Sequence, residues 1–162
     1  MKKKVLLVLP SFRGGGAERV MLTLLKHLDR DRFDLHLAVV SREGPYAEDV
    51  PADIPVHDLR CRRVRQAPIP LLKLAWSLKP DTILSTLGHL NIAMIALKPF
   101  FPGNVKLLVR EASIVSRNIG RHAPVWRFLY RTMYKRADLI VCQSKAMLED
   151  LRDRFSVPAS KM

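Results

Sequence analysis

The triple glycine Gly14-Gly15-Gly16, running straight into Ala17-Glu18-Arg19-Val20, is the stretch whose residue types could do chemistry most directly. It follows a short apolar run, Val5–Leu9, and precedes an amphipathic helical pattern. A strand, a tight loop and a helix N-terminus in succession present backbone N–H groups to an anion, with the helix dipole behind them. Glycine lets a ligand approach the backbone with no Cβ in the way. The chemistry this allows is the binding of a phosphate or a sugar. Such turns also occur in α/β proteins that bind nothing at them, so the loop alone leaves both readings open.

Two phosphate-binding patterns do not match the letters. A dinucleotide fingerprint needs G-x-G-x-x-G and an acidic residue about 20 positions on. Gly14 and Gly16 supply the first pair, but Arg19 stands where the third glycine belongs. The second apolar run ends Val39-Val40-Ser41-Arg42, with no carboxylate until Glu43. A P-loop ends Gly-Lys-Ser/Thr, and this loop continues Ala-Glu-Arg.

The elements that must position such a loop alternate between strand and helix. Strands are expected at Val5–Leu9, Phe33–Val40, Val56–Leu59, Thr82–Thr86, Val105–Val109 and Leu139–Val141. Several are apolar at consecutive positions, as strands covered on both faces tend to be. Helices are expected at Ala17–Leu28, Ile69–Leu78, Asn91–Leu97, Pro124–Arg136 and Lys145–Phe155. In the first, Val20, Leu24 and Leu28 with Met21 and Leu25 make one apolar stripe. The alternation predicts an α/β fold, a Rossmann-like parallel sheet with helices on both faces. Ligands of such sheets sit beyond the carboxyl ends of the strands. The glycine loop, His89, Arg110-Glu111 and Ser144 all fall there.

Four blocks of the chain resemble the N-terminal domain of the retaining glycosyltransferases of family 4, which have the GT-B fold. They are Gly15-Gly16-Ala17-Glu18-Arg19-Val20, Asp81 through Asn91, Val109-Arg110-Glu111-Ala112-Ser113 and Ala137 through Ser144. They stand in the family's order and cover nearly the whole chain. The resemblance implies transfer of a sugar from a nucleotide diphosphate donor to an acceptor hydroxyl, with retained configuration and with neither a bound metal nor a separate cofactor. It implies that Gly15 and Gly16 face the donor's diphosphate and that His89 contacts the transferred sugar as the catalytic-site residue. Asn91, Arg110 and Glu111 would line the donor and acceptor cleft. Residues 1–162 would then be the N-terminal, acceptor-side domain, with the nucleotide-sugar-binding domain outside this chain and the isolated domain inactive. The family also makes a lipid-linked or cell-envelope glycan the expected acceptor.

The same residues have plainer roles. Asn91 could cap the helix that follows it, and Glu18 could simply favour the helix dipole. Arg110 and Glu111 could pair with each other, and Ser144 could cap the last helix with Met147 and Leu148 entering the core. His27, His36, His57 and His122 match no motif and read as surface or packing residues.

Bulk properties set the frame. One hundred and sixty-two residues suit one domain, enough to bury about two-thirds of the unfolded surface. Apolar residues make up 48%, which excludes wholesale disorder. Cys61 and Cys142 lie far apart and form no metal-ligand spacing, so a reduced, cytoplasmic chain is expected. The opening Met-Lys-Lys-Lys reads as the approach to a buried strand rather than a signal peptide, because the apolar run stops at Pro10.

Twenty-eight Lys and Arg against 15 Asp and Glu leave a net charge of +13. The excess concentrates at Arg60, Arg62, Arg63 and Arg65, and again from Arg110 to Arg136. Within Pro124–Arg136 a basic face, Arg127, Arg131 and Lys135, lies opposite Trp126, Tyr130, Met133 and Tyr134. Such a segment could dock on an anionic membrane surface, the inner face of the cytoplasmic membrane. It could equally be a solvated face over a core-facing aromatic stripe. The competing reading of the whole chain is a non-catalytic basic module that binds a membrane, a partner protein or nucleic acid. No nucleic-acid module is visible, so no specific nucleic-acid partner is expected.

Overall fold

A computed structural model describes residues 1–120 and 123–162. Six strands, β1 (Lys3–Leu9), β2 (Phe33–Val39), β3 (Val56–Asp58), β4 (Thr82–Thr86), β5 (Lys106–Arg110) and β6 (Leu139–Val141), form one sheet in the order β3-β2-β1-β4-β5-β6. Every pairing is parallel. The helices are α1 (Gly16–His27), α2 (Pro68–Leu78), α3 (Gly88–Leu97), α4 (Val115–Asn118), α5 (Ala123–Met133) and α6 (Lys145–Phe155). The fold is the expected Rossmann-like α/β arrangement, and every expected strand and helix is present within a few residues at its ends.

Strand β1 shows why its sequence is apolar at consecutive positions. Leu6 and Val8 point into one core, shared with Leu71 of α2, Met94 of α3, Tyr134 and Phe155 of α6. Val5, Leu7 and Leu9 point into a second core built with Met21, Leu22 and Leu25 of α1. Successive side chains alternate between two covered faces, so neither set can be polar. Helix α1 presents Ala17, Met21 and Leu25 to the sheet. Leu24 and Leu28 flank that line, and Val20, expected in the stripe, is only half-buried.

Helix α4 was not expected from the sequence. Its four residues are too few to show a period, and a long-range contact holds them: Ser116 N donates to Asp150 Oδ2 of α6 at 2.9 Å. Helix α5 stops at Met133 rather than Arg136. The chain tightens into a 3-10 turn over Tyr134–Arg136, which carries Tyr134 into the core with no exposure. Ser144 caps α6 as expected, its Oγ accepting from Met147 N at 3.3 Å. Met147 and Leu148 are half-buried, however, and Leu151 and Phe155, one and two turns on, enter the core instead.

Two carboxylates tie strand starts to their neighbours. Asp81 Oδ2 accepts from Lys4 N at 2.8 Å. Asp138 Oδ2 accepts from Leu107 N at 2.7 Å and pairs with Lys98 at 2.7 Å. Cys61 and Cys142 are free thiols. No described helix is long and apolar enough to cross a membrane. His122, read from sequence as a surface or packing residue, lies outside the described residues.

Candidate functional site

Strands β1 and β4 are neighbours, and the chain leaves them in opposite directions, toward β2 and toward β5. Sheets of this order open a crevice beyond the carboxyl ends of that strand pair. The glycine loop leaves β1 there, and Leu87-Gly88-His89 leaves β4 there. Gly15 is the N-cap of α1, with φ −82° and ψ 166°, and no side chain caps the helix. Gly14, with φ +94°, is the residue of the three whose conformation requires glycine. A Cβ on Gly15 would come within 2.5 Å of Glu18 Oε2, whereas one on Gly16 would meet open space. Glu18 is therefore more than a surface carboxylate at a helix start: it is 7% exposed and folded back over the loop.

His89 is the second residue of α3, and two cavities meet at it. One, of about 390 Å³, lies among the ends of β1, β2 and β4 and is lined by Arg13, Glu18, Ser41, Arg62, Arg63 and His89. The other, of about 200 Å³, is lined by Gly88, His89, Glu111, Ser113, Trp126 and Tyr130 among others. Burial lowers the His89 pKa and the Glu18 charge opposes that shift, so the imidazole is neutral at neutral pH. Leu87, which positions it, has φ +73°. A non-glycine residue held there costs on the order of 1–3 kcal/mol, strain of the kind that collects at functional sites.

Arg62 and Arg63 were read from sequence as part of a surface charge cluster. Their loop is pinned by Gln66, whose Oε1 accepts from both backbone N–H groups at 3.1 Å. Both line the larger cavity, and neither guanidinium is in an ion pair among the described residues. Arg13, which shares that cavity, is paired with Glu43 at 2.8 Å.

Asn91, Arg110 and Glu111 come together, but inside the protein. Asn91 is fully buried and caps nothing: its Oδ1 accepts from Ser85 Oγ at 2.8 Å, and its Nδ2 donates to Arg110 O at 3.0 Å and to Glu111 Oε1 at 3.2 Å. The cap reading fails because Leu87 already stands at the N-cap of α3, placing Asn91 within its first turns. Arg110 Nη1 donates to Thr86 Oγ1 at 2.9 Å, and no ion pair joins it to Glu111. Glu111 instead accepts from the hydroxyls of Tyr134 and Tyr130. Burial raises the Glu111 pKa, while these hydrogen bonds and the Arg110 charge pull it the other way. Burial likewise draws Arg110 below the ordinary guanidinium value, with Glu111 opposing.

The sequence placed Tyr130 and Tyr134 on the apolar side of their helix, facing either a membrane or the core, and gave their hydroxyls no partner. Their rings stack with centroids 4.2 Å apart, and their hydroxyls serve Glu111. The signal was available: Trp126, Tyr130 and Tyr134 recur at i, i+4, i+8, and buried tyrosines need a partner for each hydroxyl. Helix α5 and the turn after it thus hold an aromatic stripe toward the core and leave Arg127, Arg131 and Lys135 exposed.

A family model described as Glycosyltransferase Family 4 matches residues 14–162. The chain is 32% identical over 166 aligned residues to the N-acetylgalactosamine-N,N'-diacetylbacillosaminyl-diphospho-undecaprenol 4-alpha-N-acetylgalactosaminyltransferase of Campylobacter jejuni, a match covering 93% of this chain and 44% of that protein. It therefore spans less than half the length of this relative. Among solved structures, Anabaena HepE in complex with UDP-glucose superposes with a TM-score of 0.72 at 17% identity, over 98% of this chain and 42% of that one. The lipopolysaccharide outer core galactosyltransferase WaaB, in its apo form, gives 0.70 at 10% identity, over 98% and 44%. At such identities the structures speak for the fold, and the family match over most of the sequence makes this chain a member of glycosyltransferase family 4.

Proposed function

We propose that this chain is the acceptor-side half of a retaining glycosyltransferase that moves a sugar from a nucleotide diphosphate donor to a hydroxyl of a lipid-linked or cell-envelope glycan. The observation that carries the reading is the cavity beyond the ends of β1 and β4, where Arg13 and Glu18, on either side of the glycine loop, meet His89, Arg62 and Arg63. Arg62, Arg63 and the uncapped start of α1 would suit the diphosphate, whose charge grows as the sugar departs. His89, neutral at neutral pH, would hydrogen-bond the transferred sugar without adding charge. The complexes of HepE with UDP and UDP-glucose, and the lipid-diphosphate acceptor in the name of the Campylobacter enzyme, support donor and acceptor classes of this kind. In this reading a second domain supplies the remaining nucleotide contacts, and residues 1–162 alone turn over no substrate.

The test is a UDP-release assay on the full-length gene product, with an undecaprenyl-diphosphate-linked sugar as acceptor and NMR of the anomeric centre formed. Retained configuration and a fall in kcat of roughly 10²-fold in His89→Ala are expected, since one preorganised hydrogen-bond donor is worth that much. An inverted product would end the mechanistic part of the reading. Transfer at wild-type rate by His89→Ala would remove the role given to His89.

Docking on an anionic membrane, through the outer face of α5, is part of the same proposal. The supporting feature is the exposure of Val125 and Phe128 among Arg127, Arg131 and Lys135.

A further inference from the structure

His36 and His57 match no motif and line neither cavity at His89, yet they meet each other. Along β2 the side chains of Leu35, Leu37 and Val39 enter the core under α1, so Asp34, His36 and Ala38 stand on the opposite face. On β3, Val56 packs into the core under α1, which turns His57 to the same side as His36. His36 Nδ1 lies 3.1 Å from His57 Nε2, with the ring centroids 5.3 Å apart. On its other nitrogen, Nε2, His36 has Asp34 Oδ1 at 3.4 Å.

Few charges surround the pair. From β1, Lys4 Nζ stands 4.0 Å from Asp34 Oδ2 and donates to Leu78 O, at the end of α2, at 3.1 Å. Helix α2, which covers this face, carries one charged residue, Lys73, exposed to solvent, and is followed by exposed Lys79. Asp58, next to His57 on β3, accepts from Arg60 N at 2.9 Å. Among the described residues, Asp34 is the one carboxylate set against the two rings.

Two nitrogens 3.1 Å apart have room for one hydrogen between them. The Asp34 carboxylate favours a hydrogen on His36 Nε2, which leaves Nδ1 to accept from His57 Nε2. One added proton is tolerated, because a single imidazolium still donates across the contact and Asp34 offsets its charge. A second is not, because both facing nitrogens then carry hydrogen and two like charges meet. Burial first, and the His36 charge second, hold His57 below the ordinary imidazole value.

The pair spans the join to a weakly held strand. β3 has three residues and lies at the sheet edge, and unlike β6, at the other edge, it buries none of them fully. Leu59 N donates to Val39 O at 2.9 Å and Cys61 N to Val40 O at 2.8 Å, carrying the ladder of β3 into the loop of Arg62 and Arg63. We propose that Asp34, His36 and His57 form a proton-operated latch, which holds β3 on β2 while the pair carries at most one charge and releases it, with the Arg62–Arg63 loop, when both rings are protonated. Acid then withdraws two arginines from the crevice, and neutralisation returns them. The latch does not depend on the transferase reading.

The test is amide hydrogen exchange on this 162-residue chain. It is read by NMR as protection factors from about pH 7.5, above the ordinary imidazole value, down to about pH 5. Leu59 and Cys61 should lose protection by up to tenfold per pH unit once His57 titrates, the slope of an opening linked to one proton. Arg62 and Arg63, whose N–H groups bond to Gln66, should follow them while the β4 amides keep theirs. His57→Gln keeps a donor for His36 Nδ1 and takes up no proton, so its β3 should stay closed throughout. A circular dichroism spectrum matching wild type verifies that the variant folds. In the wild-type chain a scalar coupling between His36 Nδ1 and His57 Nε2, across the shared hydrogen, should be seen at neutral pH. Protection that stays flat with pH, the same acid loss in His57→Gln, or absence of that coupling overturns the latch. Loss at Leu59 and Cys61 with Arg62 and Arg63 unchanged overturns its hold on the arginine loop.

Discussion

At the scale of single residues the site is governed by what burial does to charge. Glu111 is held in the fold above its ordinary pKa because desolvation penalises the carboxylate. The native state therefore binds more protons than the unfolded chain between that ordinary value and the raised one. Stability from this group is present below about pH 4.5 and is lost as pH rises through the window. His57 and His89 act in the opposite sense. Burial lowers both, so their contribution is present above about pH 6.5 and falls as the solution is acidified. Subtracting one variant from wild type separates the effects. The melting temperature of Glu111→Gln should rise relative to wild type as pH increases above about 4.5, followed by circular dichroism. A difference that stays flat with pH would show that Glu111 titrates normally.

Elements are positioned by a few side chains that reach between them. Ser144→Ala removes the one side-chain cap of α6 and should cost about 1 kcal/mol, a fall in melting temperature of roughly 2–4 °C for a domain of this size. Gly88→Ala is a sharper change. The added Cβ would meet the Tyr130 hydroxyl at 2.1 Å, and both the helix start and α5 would have to give. Overpacking of this kind costs about 1–3 kcal/mol. The melting temperature of the variant, followed by circular dichroism, should fall accordingly, and a value equal to wild type would mean that Tyr130 moves aside without cost.

Across the whole molecule, the excess of 28 basic over 15 acidic residues is divided between two places. Arg62 and Arg63 face the crevice, while α5 turns Arg127 and Arg131 outward beside Val125 and Phe128 and the turn after it exposes Lys135. If the outer face of α5 docks on lipid, the chain should co-sediment with phosphatidylglycerol vesicles and not with phosphatidylcholine. Binding should weaken steeply from about 50 to about 200 mM salt, as the Debye length shrinks toward 8 Å. Phe128→Ala with Arg131→Glu should abolish it, while Arg62→Ala should affect it little. Retention by the double variant would move the interaction to another face.

The sequence by itself determined the sheet, its helices and the end of the sheet at which the glycine loop and His89 stand. Those follow from periodicity and glycine placement, which are local: Val5–Leu9 must be doubly buried, and Gly14 must turn before α1. Resemblance to a family also singled out His89, which the structure places between two cavities. What only the tertiary structure decided was which polar residues face the crevice and which face each other. Asn91 follows β4 and Arg110 ends β5, yet their side chains turn inward, because Ser85, Thr86 and the Glu111 carboxyl must find partners once water is gone. Arg62 and Arg63 look like solvated charge until the folded chain sets them against His89. Satisfying a buried hydrogen bond is a non-local condition, met by groups as far apart in the chain as Asn91 and Tyr134. No pattern read along one segment contains it.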